Sequence, residues 1–390
     1  RESELPADAR MGDYVHYALK RHPELAAAFD RWRAALERIP QARTLPDPRV
    51  SFGVVLDEVD RSAEYMGERY GLEQMFPWFG KLDLAGDVAL AQARAEAERF
   101  EALRLEIEDR VSQAFFELAY QQQAAAIARE NLDLLRRLEA VARTMFRGGT
   151  ANLADVSRAQ IEIGRLDDQV RALEDLLGVA RAELNAALGR PAHAPLPPAP
   201  DRPSALPIPA LPDRTDEEWA ALARRHNPGL AAAGHAVEEQ RQAVSLARKN
   251  YFPDISVGLE YGRDANARMA MMDGGGADMV TGTLSVNVPV WQRKYAAGVR
   301  EAQSRLGEAR REVESRAIRL EADLKRALFG HRDSRRKLAL YGDTLLPMAR
   351  QTLATTETAF RAGQAGFADL IDAQRVLLEF ALAHERAAAD

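Results

Sequence analysis

The sequence predicts a mostly α chain with a small β part, in which one helix–hairpin–long-helix plan is written twice. Three observations carry this reading. One is an internal repeat of roughly half the chain. The others are long proline-free runs with apolar residues at helical spacing, and short stretches that alternate apolar with small or polar residues.

The repeat is visible as matched signals in one order. Arg21-His22-Pro23-Glu24-Leu25 opens a helical stretch, and His226-Asn227-Pro228-Gly229-Leu230 opens its counterpart 205 residues later. Asp47-Pro48-Arg49-Val50-Ser51-Phe52-Gly53-Val54 matches Phe252-Pro253-Asp254-Ile255-Ser256-Val257-Gly258-Leu259 at the same offset. Pro77, before Trp78 and Lys81, matches Pro289, before Trp291 and Lys294, at 212. Phe146-Arg147-Gly148-Gly149, leading to Asp155, matches Phe360-Arg361-Ala362-Gly363, leading to Asp369, at 214. Nine prolines fall between Arg190 and Asp213, a density that removes too many N–H donors for helix or central strand. The chain therefore divides into a first repeat at 1–189, an extended connector at 190–213 and a second repeat at 214–390.

Within the first repeat, Leu19, Leu25, Phe29, Trp32 and Leu36 predict a helix over 14–44, stopped by Pro46 and Pro48. Residues 49–56 read as a strand with Val50, Phe52, Val54 and Leu56 on one face, and a second strand follows at 69–76. Residues 81–147 contain no proline, and their apolar positions step by three, four and seven. A helix of that length is about 100 Å long, which no globular core matches. Gly148-Gly149 ends it, and 152–188 forms a return helix. The second repeat predicts a helix at 215–250, strands at 254–262 and 280–288, a long helix at 291–361, a break at 362–366 and a final helix.

The totals exclude several classes. With 46% apolar and 29% charged residues the chain is not disordered, and a net charge of −6 does not suit a nucleic-acid binder. Without cysteine it has no disulfide or thiolate chemistry. No apolar run is long enough for a membrane helix, although barrel strands escape that criterion. Starting at Arg-Glu-Ser, the chain reads as a mature or trimmed form. Four strands of barrel-spanning length cannot close a barrel alone, so a membrane role requires several chains to share one.

These features resemble the TolC-like outer-membrane efflux ducts. The resemblance rests on the duplicated plan, on Gln74-Met75-Phe76-Pro77-Trp78-Phe79-Gly80-Lys81 between strand and long helix, and on two glycine turns each followed by Asp. It implies a homotrimer with a 12-stranded β-barrel in the outer membrane of a Gram-negative bacterium and a 12-helix α-barrel in the periplasm. It implies a passive conduit with no cofactor. The implied partners are a periplasmic adaptor protein, an inner-membrane pump of the RND type and outer-membrane lipid, with no nucleic acid. The Met-Phe-Pro-Trp-Phe-Gly-Lys stretch is closest to the heavy-metal branch, so metal ions or small toxic compounds are the expected cargo. A protein-secretion duct and a soluble coiled-coil scaffold are the alternatives.

The residues offer little else. The seven histidines (His16, His22, His193, His226, His235, His331, His384) form no metal-binding spacing, and no nucleophile elbow or phosphate loop occurs. Met269, Met271, Met272 and Met279 crowd one loop with Gly274-Gly275-Gly276, and read as incidental residues of a flexible tip. Asp369 and Asp372 share one face just after a break, where a helix dipole favours carboxylates. The resemblance implies that these acids line the constriction at the periplasmic tip, with Asp155 and Arg158 as further gate residues. It also places Gly148, Gly149, Gly363 and Gly366 in the turns that meet the adaptor. Ala365 stands where better-known members carry a basic residue, so Arg158 is the candidate partner for Asp155 or Asp372.

Overall fold

The structure is a computed structural model that describes residues 5–6, 9–54, 67–149, 152–197, 203–206, 211–264 and 278–390. Met269, Met271, Met272 and the Gly274–Gly276 run lie outside these residues, as do Leu56 and the end of the first expected strand. The first half runs α1 (Met11–Arg21), α2 (Pro23–Arg43), β1 (Arg49–Val54), β2 (Gly67–Phe76), α3 (Lys81–Arg147) and α4 (Leu153–Ala187). The second half runs α5 (Asp216–His226), α6 (Pro228–Lys249), β3 (Ile255–Asp264), β4 (Met279–Val286), α7 (Gln292–Ala339), α8 (Leu346–Arg361) and α9 (Phe367–Ala389). No helix among the described residues is long and apolar enough to cross a membrane.

Four expectations need correction. The helix expected over 14–44 is two helices, α1 and α2, parted at His22, and the one expected over 215–250 is α5 and α6, parted at Asn227. A residue before proline avoids the helical region: His22 sits at ψ 122 and Asn227 at ψ 114. Each then caps the helix that its proline opens. His22 Nδ1 accepts from the Glu24 N–H at 3.2 Å, and Asn227 Oδ1 accepts from the Leu230 N–H at 2.8 Å. Burial lowers the pKa of His22, which suits an imidazole that caps as a neutral acceptor. The long helix expected over 291–361 is interrupted by a π-helical segment, Leu340–Leu345, in which the Leu346 N–H reaches back to the Tyr341 carbonyl. The connector is not extended throughout, because Pro203–Ala205 makes a 3₁₀ turn. Ser204 there donates to Glu385 Oε1 at 2.7 Å and pins the turn to α9.

The chain forms two compact units that each draw on both halves of the sequence. One comprises residues 1–27, 101–226 and 319–390; the other comprises 28–100 and 227–318. The second unit holds a four-stranded antiparallel sheet in the order β1-β2-β3-β4. Its register aligns Val50 with Leu72, Leu72 with Leu259 and Val257 with Leu284, so these side chains share one face. The opposite face carries Arg49, Ser51, Arg69, Glu73, Glu260, Thr281 and Thr283. The apolar face is uncovered, with Val50 80% and Leu284 73% exposed. Among the described residues both outer strands keep an unpaired edge.

A polar lock joins sheet to helix in this unit. Asp254, immediately before β3, accepts from the Trp78 N–H at 2.8 Å and from Lys81 Nζ at 2.7 Å. Lys81 also donates to the Phe252 carbonyl at 3.2 Å. The Trp78 indole stacks on Phe252, with ring centroids 5.4 Å apart. The Phe76-Pro77-Trp78 stretch thus turns the chain from strand into α3 at a fixed angle.

Candidate functional site

The first unit ends in two helix turns above a shared core. Leu132, Leu135 and Leu138 of α3 meet Leu166 and Val170 of α4, Leu353 and Phe360 of α8, and Phe367, Leu370 and Ile371 of α9. Four apolar stripes therefore close on one another and fix where the turns stand.

Each turn follows from its glycine. Gly149 and Gly363 have φ of +76 and +72, the left-handed backbone that glycine adopts without strain. After α8 the Gly363 N–H donates to the Phe360 carbonyl at 3.0 Å and the Gln364 N–H to the Ala359 carbonyl at 2.8 Å. That pair of bonds satisfies the last orphan carbonyls of the helix. Gly148 and Gly149 likewise bond back to Thr144 and Phe146. The following helices are capped by the acids that the sequence singles out. Asp155 accepts from the Asn152 N–H at 3.4 Å, and Asp369 accepts from the Gly366 N–H at 3.0 Å.

The remaining site residues separate. Asp372 is exposed on α9, and its carboxylate stands 3.7 Å from Arg375. Arg158 is exposed and has no ion pair among the described residues, so within one chain it does not meet Asp155 or Asp372. The cation beside Asp372 is Arg375. Its guanidinium forks onto Glu162 of α4, Nε to Oε1 at 2.9 Å and Nη2 to Oε2 at 2.5 Å. Glu162 is buried, and the Arg375 hydrogen bonds hold its carboxyl below the ordinary glutamate range. Local sequence signals miss this pair, because the two residues lie 213 positions apart and pair only once α4 and α9 pack. Asp369 and Asp372 also border an open groove of about 430 Å³ between α8 and α9, lined further by Met348, Thr352, Thr356 and Phe380. No group of three or more metal-ligating side chains occurs among the described residues.

The model of the family described as outer membrane efflux protein matches residues 14–190 and 219–390. The chain belongs to that family. This efflux protein is a transport duct of the outer membrane with a helical periplasmic part, not an enzyme. It is 24% identical over 353 residues to the cobalt-zinc-cadmium resistance protein CzcC of Cupriavidus metallidurans, covering 87% of this chain and 77% of CzcC. It is 25% identical over 187 residues to the fusaric acid resistance protein FusA of Burkholderia cepacia, covering 48% of this chain and 34% of FusA. Its fold matches that of the outer membrane protein VceC of Vibrio cholerae with a TM-score of 0.79 at 18% identity, over 97% of this chain and 92% of VceC.

Proposed function

We propose that three copies of this efflux protein form one passive exit duct, which works with a periplasmic adaptor and an inner-membrane pump of the RND type. One observation carries this reading: among the described residues the sheet has an apolar face on one side, a polar face on the other and an unpaired edge at each end. In lipid each unpaired backbone group costs several kcal/mol, so β4 of one copy has to seat β1 of the next. Three such sheets supply twelve strands with lipid-facing and water-facing residues in alternation. The reading includes a tandem of repeats at 1–189 and 214–390 joined by 190–213. Measuring the native mass of the detergent-solubilised protein tests it. A trimer is expected, and a detergent-free monomer overturns it.

The tip is the gate in this reading. Asp369 and Asp372 from three copies form stacked acidic rings that raise the local negative potential and favour cations. The fork between Arg375 and Glu162 holds α9 against α4, Asp155 and Asp369 fix the helix starts, and Arg158 is left to meet a neighbouring chain or the adaptor. The turns at Gly148, Gly149, Gly363 and Gly366 are the surfaces offered to the adaptor. In single-channel recordings, Asp369→Ala with Asp372→Ala loses cation selectivity and block by multivalent cations. Unchanged selectivity and block would refute the rings.

Metal ions are the cargo that the likeness to CzcC supports, and the likeness to FusA supports small organic toxins as the second reading. A deletion strain grown against cobalt, zinc, cadmium and organic antimicrobials separates the two. Sensitivity confined to the organic compounds sinks the metal reading.

A further inference from the structure

We infer that Lys294 and Trp291 of one copy clamp the segment Asp47-Pro48-Arg49 of a second copy of this chain. The clamp repeats between copies the lock that Lys81 and Trp78 make with Phe252-Pro253-Asp254 within one. It rests on the trimeric reading above and names a contact that holds that trimer together. The two halves match at three positions of this junction: Trp78 with Trp291, Lys81 with Lys294, and Pro253 with Pro48. Inside the chain, Trp78 is stacked and Lys81 is ion-paired. Their counterparts are less engaged. Trp291 is 73% exposed with no ring partner, and Lys294 is exposed with no ion pair, its ammonium resting only 5.8 Å from the Tyr295 ring centroid, all among the described residues. Asp47, Pro48 and Arg49 are exposed too, beside the unpaired edge of β1.

The chemistry is complementary. Lys81 bonds a carbonyl at 252 and a carboxylate at 254. In the first repeat the matching carbonyl belongs to Asp47, and the carboxylate moves two residues back to Asp47 itself. A lysine on its flexible stem reaches both from one place. Asp47 stands where Phe252 does, so the ring stack is lost, and Arg49, two residues on, offers a guanidinium to the Trp291 indole as a cation–π contact in its place. Seating β1 against β4 with Val50 and Phe52 on the face of Leu284 and Val286 keeps the apolar belt continuous.

The chain has no cysteine, so an introduced pair reports without background. Asp47→Cys with Lys294→Cys, purified in detergent and treated with a short bis-maleimide, gives dimer and trimer bands on a denaturing gel. Lys81→Cys with Asp254→Cys links within one chain and stays at monomer mass. Asp47→Lys and Lys294→Asp each raise the trimer's dissociation constant about fivefold, the range of a partly exposed ion pair. The swapped double variant recovers most of that loss. A trimer that neither cross-links between positions 47 and 294 nor recovers on swapping overturns the clamp alone. A monomeric native mass overturns the trimer beneath it as well.

Discussion

The two helix turns at the tip share a sequence plan but not an environment. Phe146 and Phe360 hold the same place before the turn, yet Phe146 is 40% exposed and Phe360 is 3% exposed. Leu153 and Phe367 open the return helices, at 59% and 0%. The long helices differ in the same way. Ile107 and Val111 of α3 are buried, whereas Leu320 and Leu324 of α7 stay partly open, and α7 buries only Leu328. At the strand–helix junction Trp78 is stacked and Trp291 is bare. At the tip and at the junction the residue that meets the other half of the sequence is covered, and its twin is not. Position in the repeat therefore does not set burial; the available neighbour does. A chain so half-satisfied presents its outer surfaces to further copies of itself.

The largest test of this contrast replaces the matched apolar residues. Phe367→Ala should cost ~3–5 kcal/mol of chain stability, the range for truncating a buried aromatic. Leu153→Ala should cost under ~0.5 kcal/mol, as for an ordinary surface site. Thermal unfolding followed by helical circular dichroism in detergent, under conditions that keep the chain monomeric, reads both. Equal losses would break the contrast.

The arginines offer a second pair. Arg375→Ala removes two charge-assisted bonds and leaves buried Glu162 without its cation. The expected loss is ~1–2 kcal/mol, reduced because the arginine side chain is itself 48% exposed. Arg158→Ala should leave stability unchanged. In recordings of the trimer, Arg375→Ala should also raise conductance by freeing α9 from α4. A larger effect from Arg158 would place the latch between chains instead.

Acid should act on the same fork. The folded-state pKa of Glu162 is depressed, so the ion pair's contribution is complete above the unfolded value. It is lost as pH falls through the depressed one, below 4.5. Conductance titrated downward should therefore rise only at strongly acidic pH, and Glu162→Gln should abolish that rise. The smallest effect is expected where the turns agree. Asp155→Ala and Asp369→Ala each remove a capping carboxylate and should cost ~0.5–1 kcal/mol alike. A marked inequality would mean that one of them does more than cap.

Much of this architecture is legible in the residues. Proline-free runs mark α3, Gly149 and Gly363 mark the turns, and alternation around Phe52 and Leu259 marks the sheet faces. Two kinds of feature were not legible. The breaks at His22 and Asn227 are hidden because apolar spacing continues across them, although the following prolines forbid a helical residue before them. The fork of Arg375 and Glu162 is hidden because it depends on which helix faces of distant segments meet. The acids Asp155 and Asp369 were visible through their spacing from the glycines, but spacing did not reveal that their carboxylates face the backbone as caps.

The π-helical segment at Leu340–Leu345 bears on how the second copy keeps in step with the first. Between the lysine that starts each long helix and the phenylalanine that precedes each turn, the second copy is longer by a single residue: Lys81 and Lys294 are 213 apart, Phe146 and Phe360 are 214 apart. In an unbroken α-helix one added residue rotates everything after it by about 100° and would swing Leu353 and Phe360 away from their neighbours. A single wide turn absorbs the addition instead, and downstream side chains return to phase. The segment acts as a leap day in the helical calendar, and through it a length change in one repeat leaves the packing at the tip in register.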